Sequence, residues 1–366
     1  MTAPLRVAVI GTGWATRVHV PAFRAVAGFE VVALCARDAA RLEQRASALD
    51  IPSWSTDWRA LVASPDIDLV SIGTPVGVHR EMVIGALGAG KHVLCEKPLA
   101  TTFADARAMA RAAAASAAQA AVCFEYRWSE EHVAVADLVR GGTLGSITYV
   151  SITRIGSYAR GDRPPQPGWM HRLDEGGGYL ANALSHDIDF VLDVFGPADE
   201  VCADVRTVVQ ARLAADGTTI PVDADDTSAL VLRLRGGGLA VLSSTFVAVG
   251  EGYSLDVVGS EGSVSVRVLE GERQAVVRRG AEVFPLDESP RGLRSGVVPT
   301  GGLADATRWT ALLLETWLPA LRGGAADVPT VADATAVQAV IDAARRSSGG
   351  EGWLPVMDDI DEETNA

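Results

Sequence analysis

The sequence predicts an α/β N-terminal domain followed by an α+β C-terminal domain built on a large, mostly antiparallel open sheet. Strand and helix patterns alternate over the first 124 residues. Strand patterns separated by glycine turns dominate residues 198–279, and two long helical stretches close the chain. Regular alternation implies a parallel sheet covered on both faces. Closely spaced strands with glycine turns imply hairpins.

Leu5-Arg6-Val7-Ala8-Val9-Ile10 is a short apolar run of the kind a buried strand needs. Gly11-Thr12-Gly13 follows, then a helical pattern over 15–26 and a second strand over 29–34. Strand, glycine turn, helix and strand in this order are the setting of a dinucleotide-binding fingerprint. Gly11 permits the tight turn, and Gly13 lets the backbone approach a pyrophosphate. The third glycine of that fingerprint is replaced by Thr16, with Ala15 the nearest small residue. The second strand runs into Ala36-Arg37-Asp38. An acid at Ala36 would bond both ribose hydroxyls of NAD, whereas alanine leaves room for a 2′-phosphate that Arg37 can pair with. Asp38 either reads the ribose or caps the next helix. The pattern leans to NADP, with NAD open.

A strand over 68–72 ends in Gly73-Thr74-Pro75. A helix over 79–89 stops at Gly90, and the strand His92-Val93-Leu94 runs into Cys95-Glu96-Lys97-Pro98. A helix over 103–118 and a strand over 120–124 complete the domain. Ligands bind beyond the carboxyl ends of such strands, where Gly11, Ala36, Thr74, Lys97 and Glu125 all fall. Lys97 stands out because Lys91 and Lys97 are the only lysines, every other basic charge being arginine. Lysine is a compact charge whose pKa burial can lower.

The net charge of −14 argues against nucleic-acid and anionic-membrane partners. No segment reads as a membrane span or secretory signal. Cys35, Cys95, Cys123 and Cys202 are scattered, as expected for reduced cytoplasmic thiols with no metal site.

In the second part, a strand over 144–155 and a loop over 160–168 precede Gly176-Gly177-Gly178, which opens a helix over 179–195. Asn182 and His186, four apart, share a face that Asp189 adjoins. A histidine there suits a general base on a substrate hydroxyl. Trp169, in the loop before the triple glycine, suits either a substrate face or the anchoring of its loop, with His171 and Arg154 as further candidates. Arg154, Arg160, Arg163 and Arg172 form either a diphosphate site or a solvated loop. Helices are predicted over 303–321 and 331–347.

These residues together resemble the Gfo/Idh/MocA oxidoreductases, the glucose–fructose oxidoreductase and inositol dehydrogenase family. The resemblance rests on Gly11-x-Gly13, Gly73-Thr74-Pro75 with His79, and Gly90-Lys91-His92-Val93-Leu94-Cys95-Glu96-Lys97-Pro98. Tyr126-Arg127, Gly176-Gly177-Gly178, Ser185-His186-x-x-Asp189 and Gly259-x-Glu261-Gly262 extend it. It implies a Rossmann domain over 1–123, a substrate-binding and oligomerisation domain over 124–350 and an acidic tail over 351–366. The closing helices are free to pack back on the first domain. It further implies hydride transfer between NAD or NADP and a carbinol or ketone of a sugar, an inositol-like polyol or a sugar derivative. The cofactor contacts implied are Gly11, Thr12, Gly13, Trp14, Ala36, Arg37, Thr74, Pro75, His79, Glu96 and Lys97. Lys97, before an often-cis proline, and His186 are the implied catalytic groups. Asn182, where the family has Asp, joins Arg127 and Trp169 on substrate. A homodimer or homotetramer through the outer sheet face is implied too. A cofactor-binding regulator without turnover, a cofactor-retaining enzyme that swaps two sugars and a reductase of a nucleotide-linked keto sugar are the alternatives.

Overall fold

The computed structural model describes residues 3–162, 168–213, 217–269, 272–286 and 302–357. Arg163 and the acidic residues from 358 onward lie outside them. The described chain forms two compact units, one of residues 3–128 with 302–335, the other of residues 129–286 with 336–357.

The first unit holds six strands: β1 (Leu5–Ile10), β2 (Phe29–Cys35), β3 (Ser53–Ser55), β4 (Leu69–Ile72), β5 (His92–Cys95) and β6 (Ala120–Val122). They pair in the order β3-β2-β1-β4-β5-β6, every pair parallel. All four residues of β4 are buried, as expected where helices cover both faces. The order reverses between β1 and β4, the switch point at which such sheets bind ligands. There the two strand ends nearly touch. Gly11 has φ +118°, and a Cβ on it would stand 2.4 Å from the Gly73 carbonyl oxygen. A Cβ on Gly73 would meet the Ala15 methyl at 2.6 Å. Gly73 therefore supplies the close helix–strand approach usually given by the missing third glycine. Thr16 is buried with its hydroxyl donating to the carbonyls of Thr12 (2.9 Å) and Gly13 (3.1 Å).

The helix predicted over 15–26 is two helices, α1 (Trp14–Arg17) and α2 (His19–Ala25), parted at Val18. In one continuous helix the Pro21 ring would strike the Arg17 carbonyl. The break places Pro21 in the first turn of α2, where its missing N–H costs nothing. Four further helices belong to this unit's N-terminal segment: α3 (Ala39–Ala48), α4 (Trp58–Ala63), α5 (His79–Gly88) and α6 (Phe103–Ala114). Strand β3 and helix α4 carry no strong sequence pattern and were not anticipated.

The second unit begins with α7 (Glu130–Arg140), which was not anticipated either, and later contains α8 (Ser185–Phe195). The 19-residue helix α9 (Leu303–Leu321) returns to the first unit. Its Leu313, Leu314, Trp317 and Leu321 share a core with Val7, Val9, Phe23, Phe29 and Leu34. α10 (Val331–Arg346) follows and runs into a π-helical turn, Ser347–Glu351.

A nine-stranded sheet forms the second unit. Its strands are β7 (Ile147–Ile155), β8 (Ala198–Arg206), β11 (Thr227–Leu234), β12 (Leu239–Thr245), β13 (Gly252–Gly259), β14 (Gly262–Leu269), β15 (Glu272–Arg279), β16 (Glu282–Pro285) and β17 (Leu354–Pro355). A separate pair, β9 (Ala211–Leu213) and β10 (Thr219–Pro221), lies beside it in sequence. The order is β16-β15-β14-β13-β7-β12-β11-β8-β17. β7–β12 is the one parallel pair among the described strands of this sheet. Val150, Ile152, Leu230, Leu232 and Leu242 are buried on one face, and α8 packs over β12. On the other face Leu239 and Val258 flank Tyr149 in register, all three exposed.

Gly73→Ala is expected to destabilise the protein by about 1–3 kcal/mol through overpacking, read as a lower urea midpoint. Adding Ala15→Gly should recover part of that loss. An unchanged midpoint in Gly73→Ala would show that the approach at Ala15 does not constrain the fold.

Candidate active site

The carboxyl ends of β1, β4, β5 and β6 gather a buried polar cluster. His19, at the start of α2, places Nδ1 2.8 Å from the Ser71 hydroxyl on β4 and Nε2 2.8 Å from Glu96 Oε1 beyond β5. The backbone N–H of Lys97 donates to Glu96 Oε2 at 3.0 Å. Burial alone would push the Glu96 carboxyl up, but the His19 hydrogen bond and the charges of His19 and Lys97 hold it below its ordinary value. Glu96 thus stays an anion that fixes the backbone of the half-buried Lys97, which is joined to Pro98 by a cis peptide. Expected as a cofactor contact, Glu96 acts here as internal support.

His79 needs a sharper correction. Also expected to touch cofactor, it is 0% exposed. Its Nε2 lies 3.0 Å from the Thr74 carbonyl, and its Nδ1 lies 3.2 and 3.3 Å from those of Pro98 and Leu99. It ties the turn after β4 to the turn after Lys97. Burial pushes its pKa down, against the pull of the carbonyls that face both of its nitrogens. The donor atoms of His19, Glu96 and Cys123 fall within 4.8 Å of one another. Burial keeps the Cys123 thiol well above its usual range; it lies 3.8 Å from the Thr310 hydroxyl, while both His19 nitrogens are engaged by Ser71 and Glu96.

Lys91, the other lysine, donates to the carbonyls of Ser64 and Ile67, each at 2.8 Å. It ties down the turn before β4.

At the end of β2, Ala36 is half-buried and Arg37 exposed. Asp38 caps α3 by accepting from the Arg41 N–H at 3.1 Å, the second of its two expected roles. At the glycine turn a Cβ on Gly13 would meet nothing within 4 Å. The turn Gly11-Thr12-Gly13 with Trp14 therefore offers accessible backbone at the switch point, the shape a pyrophosphate requires. Thr74 is half-buried, with its hydroxyl 3.8 Å from the Met82 sulfur, and Pro75 is exposed. Arg127 lies in the turn Glu125–Trp128, where Tyr126 packs edge-on against Trp309 at 5.2 Å.

In the second unit the triple glycine is a steric necessity. A Cβ on Gly177 would stand 2.5–2.7 Å from three carbonyls. One on Gly178, whose φ is +94°, would stand 2.1 Å from Asp225 Oδ1. Asp225 holds the corner by accepting from the Leu180 N–H at 2.6 Å. Its role was not visible in the sequence, because it lies 45 residues from its partner. The predicted helix starts as a wide π-helical turn, Leu180–Leu184, and becomes α-helical at Ser185. Such turns recur at functional sites, and the simple i, i+4 face expected for Asn182 and His186 crosses this change of pitch. His186 and Asp189 are buried. The Asn182 amide donates to the carbonyls of Gly178 (2.8 Å) and Gly176 (3.3 Å). An aspartate there would turn oxygen toward two carbonyl oxygens, so this corner is shaped for an amide.

Trp169 is half-buried in the turn Gly168–His171. Burial, aided by Arg212, pushes the pKa of His171 down. Arg154 forks onto Asp187 at 2.6 and 2.8 Å, while Arg160 and Arg172 pair with Asp162 and Asp174. The three described arginines of the considered diphosphate site are thus engaged with carboxylates.

The doubly wound sheet with its glycine turn and strand-end lysine defines a dinucleotide-binding oxidoreductase. Residues 5–124 match the oxidoreductase family with an NAD-binding Rossmann fold, and residues 132–265 match the GFO/IDH/MocA C-terminal domain. The chain belongs to the GFO/IDH/MocA family. It is 30% identical over 274 residues to 1,5-anhydro-D-fructose reductase of Ensifer adhaerens, covering 73% of this chain and 78% of that one. To levoglucosan dehydrogenase of Pseudarthrobacter phenanthrenivorans it is 26% identical over 386 residues, 96% and 98% of the two chains. A levoglucosan dehydrogenase structure in complex with NADH and L-sorbose superposes with a TM-score of 0.85 at 26% identity, covering 97% of this chain and 99% of that one.

Asn182→Asp is expected to lower stability by about 1 kcal/mol above pH 7, the cost of an unsatisfied acceptor at a half-buried position. A carboxylate facing carbonyls has a raised folded-state pKa. The penalty is therefore absent below the unfolded pKa and grows as pH rises through the folded one. Thermal melts at about pH 3, below the unfolded aspartate pKa, and at about pH 8 test this; equal losses at both would refute it.

Proposed function

We propose that the protein transfers hydride between NADP and a ring carbinol or ketone of a sugar or cyclic polyol, with NAD as the weaker cofactor. The observation that carries this reading is Lys97 held at the strand ends by a buried glutamate, next to a glycine turn open to a pyrophosphate. Family relatives named for levoglucosan, 1,5-anhydro-D-fructose and myo-inositol support a cyclic polyhydroxyl substrate. The nicotinamide, when bound, supplies the hydride acceptor or donor. Gly11, Thr12, Gly13 and Trp14 cradle the pyrophosphate. Thr74 and Pro75 border the nicotinamide end. The Lys97 ammonium stabilises charge on the reacting oxygen as the carbinol is oxidised, and polarises the carbonyl in reduction. His186 takes up the hydroxyl proton and returns it in the reverse direction. Asn182, Arg127 and Trp169 hold the remaining hydroxyls and the sugar face.

The cofactor preference rests on Ala36, which leaves space, on the exposed Arg37, and on Asp38, whose side chain is committed to the α3 cap. We further propose a homodimer or homotetramer through the sheet face bearing Tyr149, Leu239 and Val258, working in the cytoplasm, where Cys35, Cys95 and Cys123 stay reduced. Among the described residues no helix is long and apolar enough to cross a membrane.

Lys97→Met should lower kcat by at least about 10²-fold, the usual effect of losing a transition-state donor, with calorimetric dinucleotide affinity unchanged within threefold. Retained turnover would remove Lys97 from the chemistry, and absence of wild-type turnover on a broad polyol panel would favour a binding protein without catalysis. Calorimetry should also give tighter binding of NADP than of NAD, a preference that Arg37→Ala reduces about tenfold. Tighter binding of NAD would overturn the Ala36–Arg37 argument.

A further inference from the structure

Glu125 takes no part in the scheme above, yet it lies beside its central residue. The Cys123 N–H donates to the Cys95 carbonyl at 2.8 Å, locking the end of β6 to the end of β5 just before Glu96 and Lys97. Glu125 opens the next turn, is 2% exposed, and buries Oε2 with no hydrogen-bond partner. A carboxylate in that position is costly; a neutral carboxylic acid is tolerated.

The charged and titratable groups facing it are Glu96 and Lys97 from the turn after β5 and the Cys123 thiol from β6. Helix α9, packed on this turn, carries Asp305 and Arg308, which lie 3.8 Å apart as an ion pair. His19 stands beyond Glu96 and is hydrogen-bonded to it. Two carboxyls therefore share one ammonium. Glu96 also meets His19 Nε2 and accepts from the Lys97 N–H; Glu125 is met only by its own N–H and the Cys123 thiol, and its Oε2 has no partner. Environments that push two neighbouring acids apart in this way separate their protonation states.

We propose that Glu125 is a positioning residue for Lys97: as a neutral acid it does not compete for the Lys97 ammonium, and once ionised it draws that ammonium toward itself and away from the reacting oxygen. The proton released on ionisation leaves to solvent. This rests on the role proposed for Lys97. Burial first, and then the Glu96 carboxylate, push Glu125 up to about 8, while Lys97 pulls it back. The change of state thus falls within the working range of a neutral-pH enzyme. Removing Lys97 should raise the midpoint further, and removing the Glu96 charge should lower it.

Infrared pH titration of the nucleotide-stripped protein reads the acid directly. A protonated carboxyl band is expected to persist above pH 7 and to fade with a midpoint near 8. It should be missing in Glu125→Gln, and in both Lys97→Met and Lys97→Gln its midpoint should rise by a pH unit or more. In turnover, the alkaline fall of kcat/KM should move by at least one pH unit in Glu125→Gln and return toward its original position in Glu125→Asp. A band that is absent above pH 6, or a midpoint unmoved when Lys97 is replaced, would overturn the proposal. So would an alkaline limb identical in Glu125→Gln. The infrared arm needs no substrate. A Lys97 dispensable for turnover would show in kinetics alone, and an uncoupled Glu125 would show in the band.

Discussion

A carboxylate shut away from water must be solvated by the protein itself, and much of the first unit's architecture follows from doing this for Glu96. One oxygen accepts from His19, which in turn meets Ser71; the other accepts from the Lys97 backbone. Three chain segments far apart in sequence are bound through one side chain. His19 can take part because the helix after the glycine turn breaks at Val18, which resets the direction of α2. His79 repeats the device, its two ring nitrogens set against the turns at Thr74 and Pro98. The lysine between these two supports needs no side-chain contact to have its backbone fixed.

Features that depend on periodicity or on a glycine were legible in the sequence. β1, β4 and β5, the turn at Gly11, the long helices and the strand-rich second unit all follow from apolar spacing and punctuation. Lys97 was visible because the chain otherwise writes its positive charge as arginine. What escaped is chemistry that a one-dimensional pattern does not carry. A buried polar residue such as Asp225 or Glu125 has the same letter as a solvated one, and only its partners in space give it meaning. For His79 and Glu96 the motif marked the region and not the internal hydrogen bonds each makes, because a motif reports that a residue is required and not whether it faces inward or outward. The break at Val18 was legible from Pro21; the helical pattern around it hid the signal. The π-helical turn at Asn182 leaves no such mark.

The glycine corner of the second unit shows how exacting a short segment becomes when backbone approaches backbone. Gly177 is hemmed in by three carbonyls and Gly178 by a carboxylate. In return, the carbonyls of Gly176 and Gly178 face inward as acceptors. That arrangement selects a donor at position 182, and asparagine provides one where a carboxylate would be repelled. The residue that departs from the family's acid is thus matched to its surroundings.

The return of α9 to the first unit has a consequence for how the chain is made. The core beneath β1 and β2 is completed by Leu313, Leu314 and Trp317, which leave the ribosome some three hundred residues after the strands they cover. Domains commonly fold as they emerge, but this one stays short of a layer until nearly the whole polypeptide has been synthesised. During that interval the apolar faces of Phe23, Phe29 and Leu34 lack their final cover. A message truncated before codon 303 therefore yields a nucleotide-binding sheet with an open hydrophobic side, a species suited to chaperone capture and proteolysis.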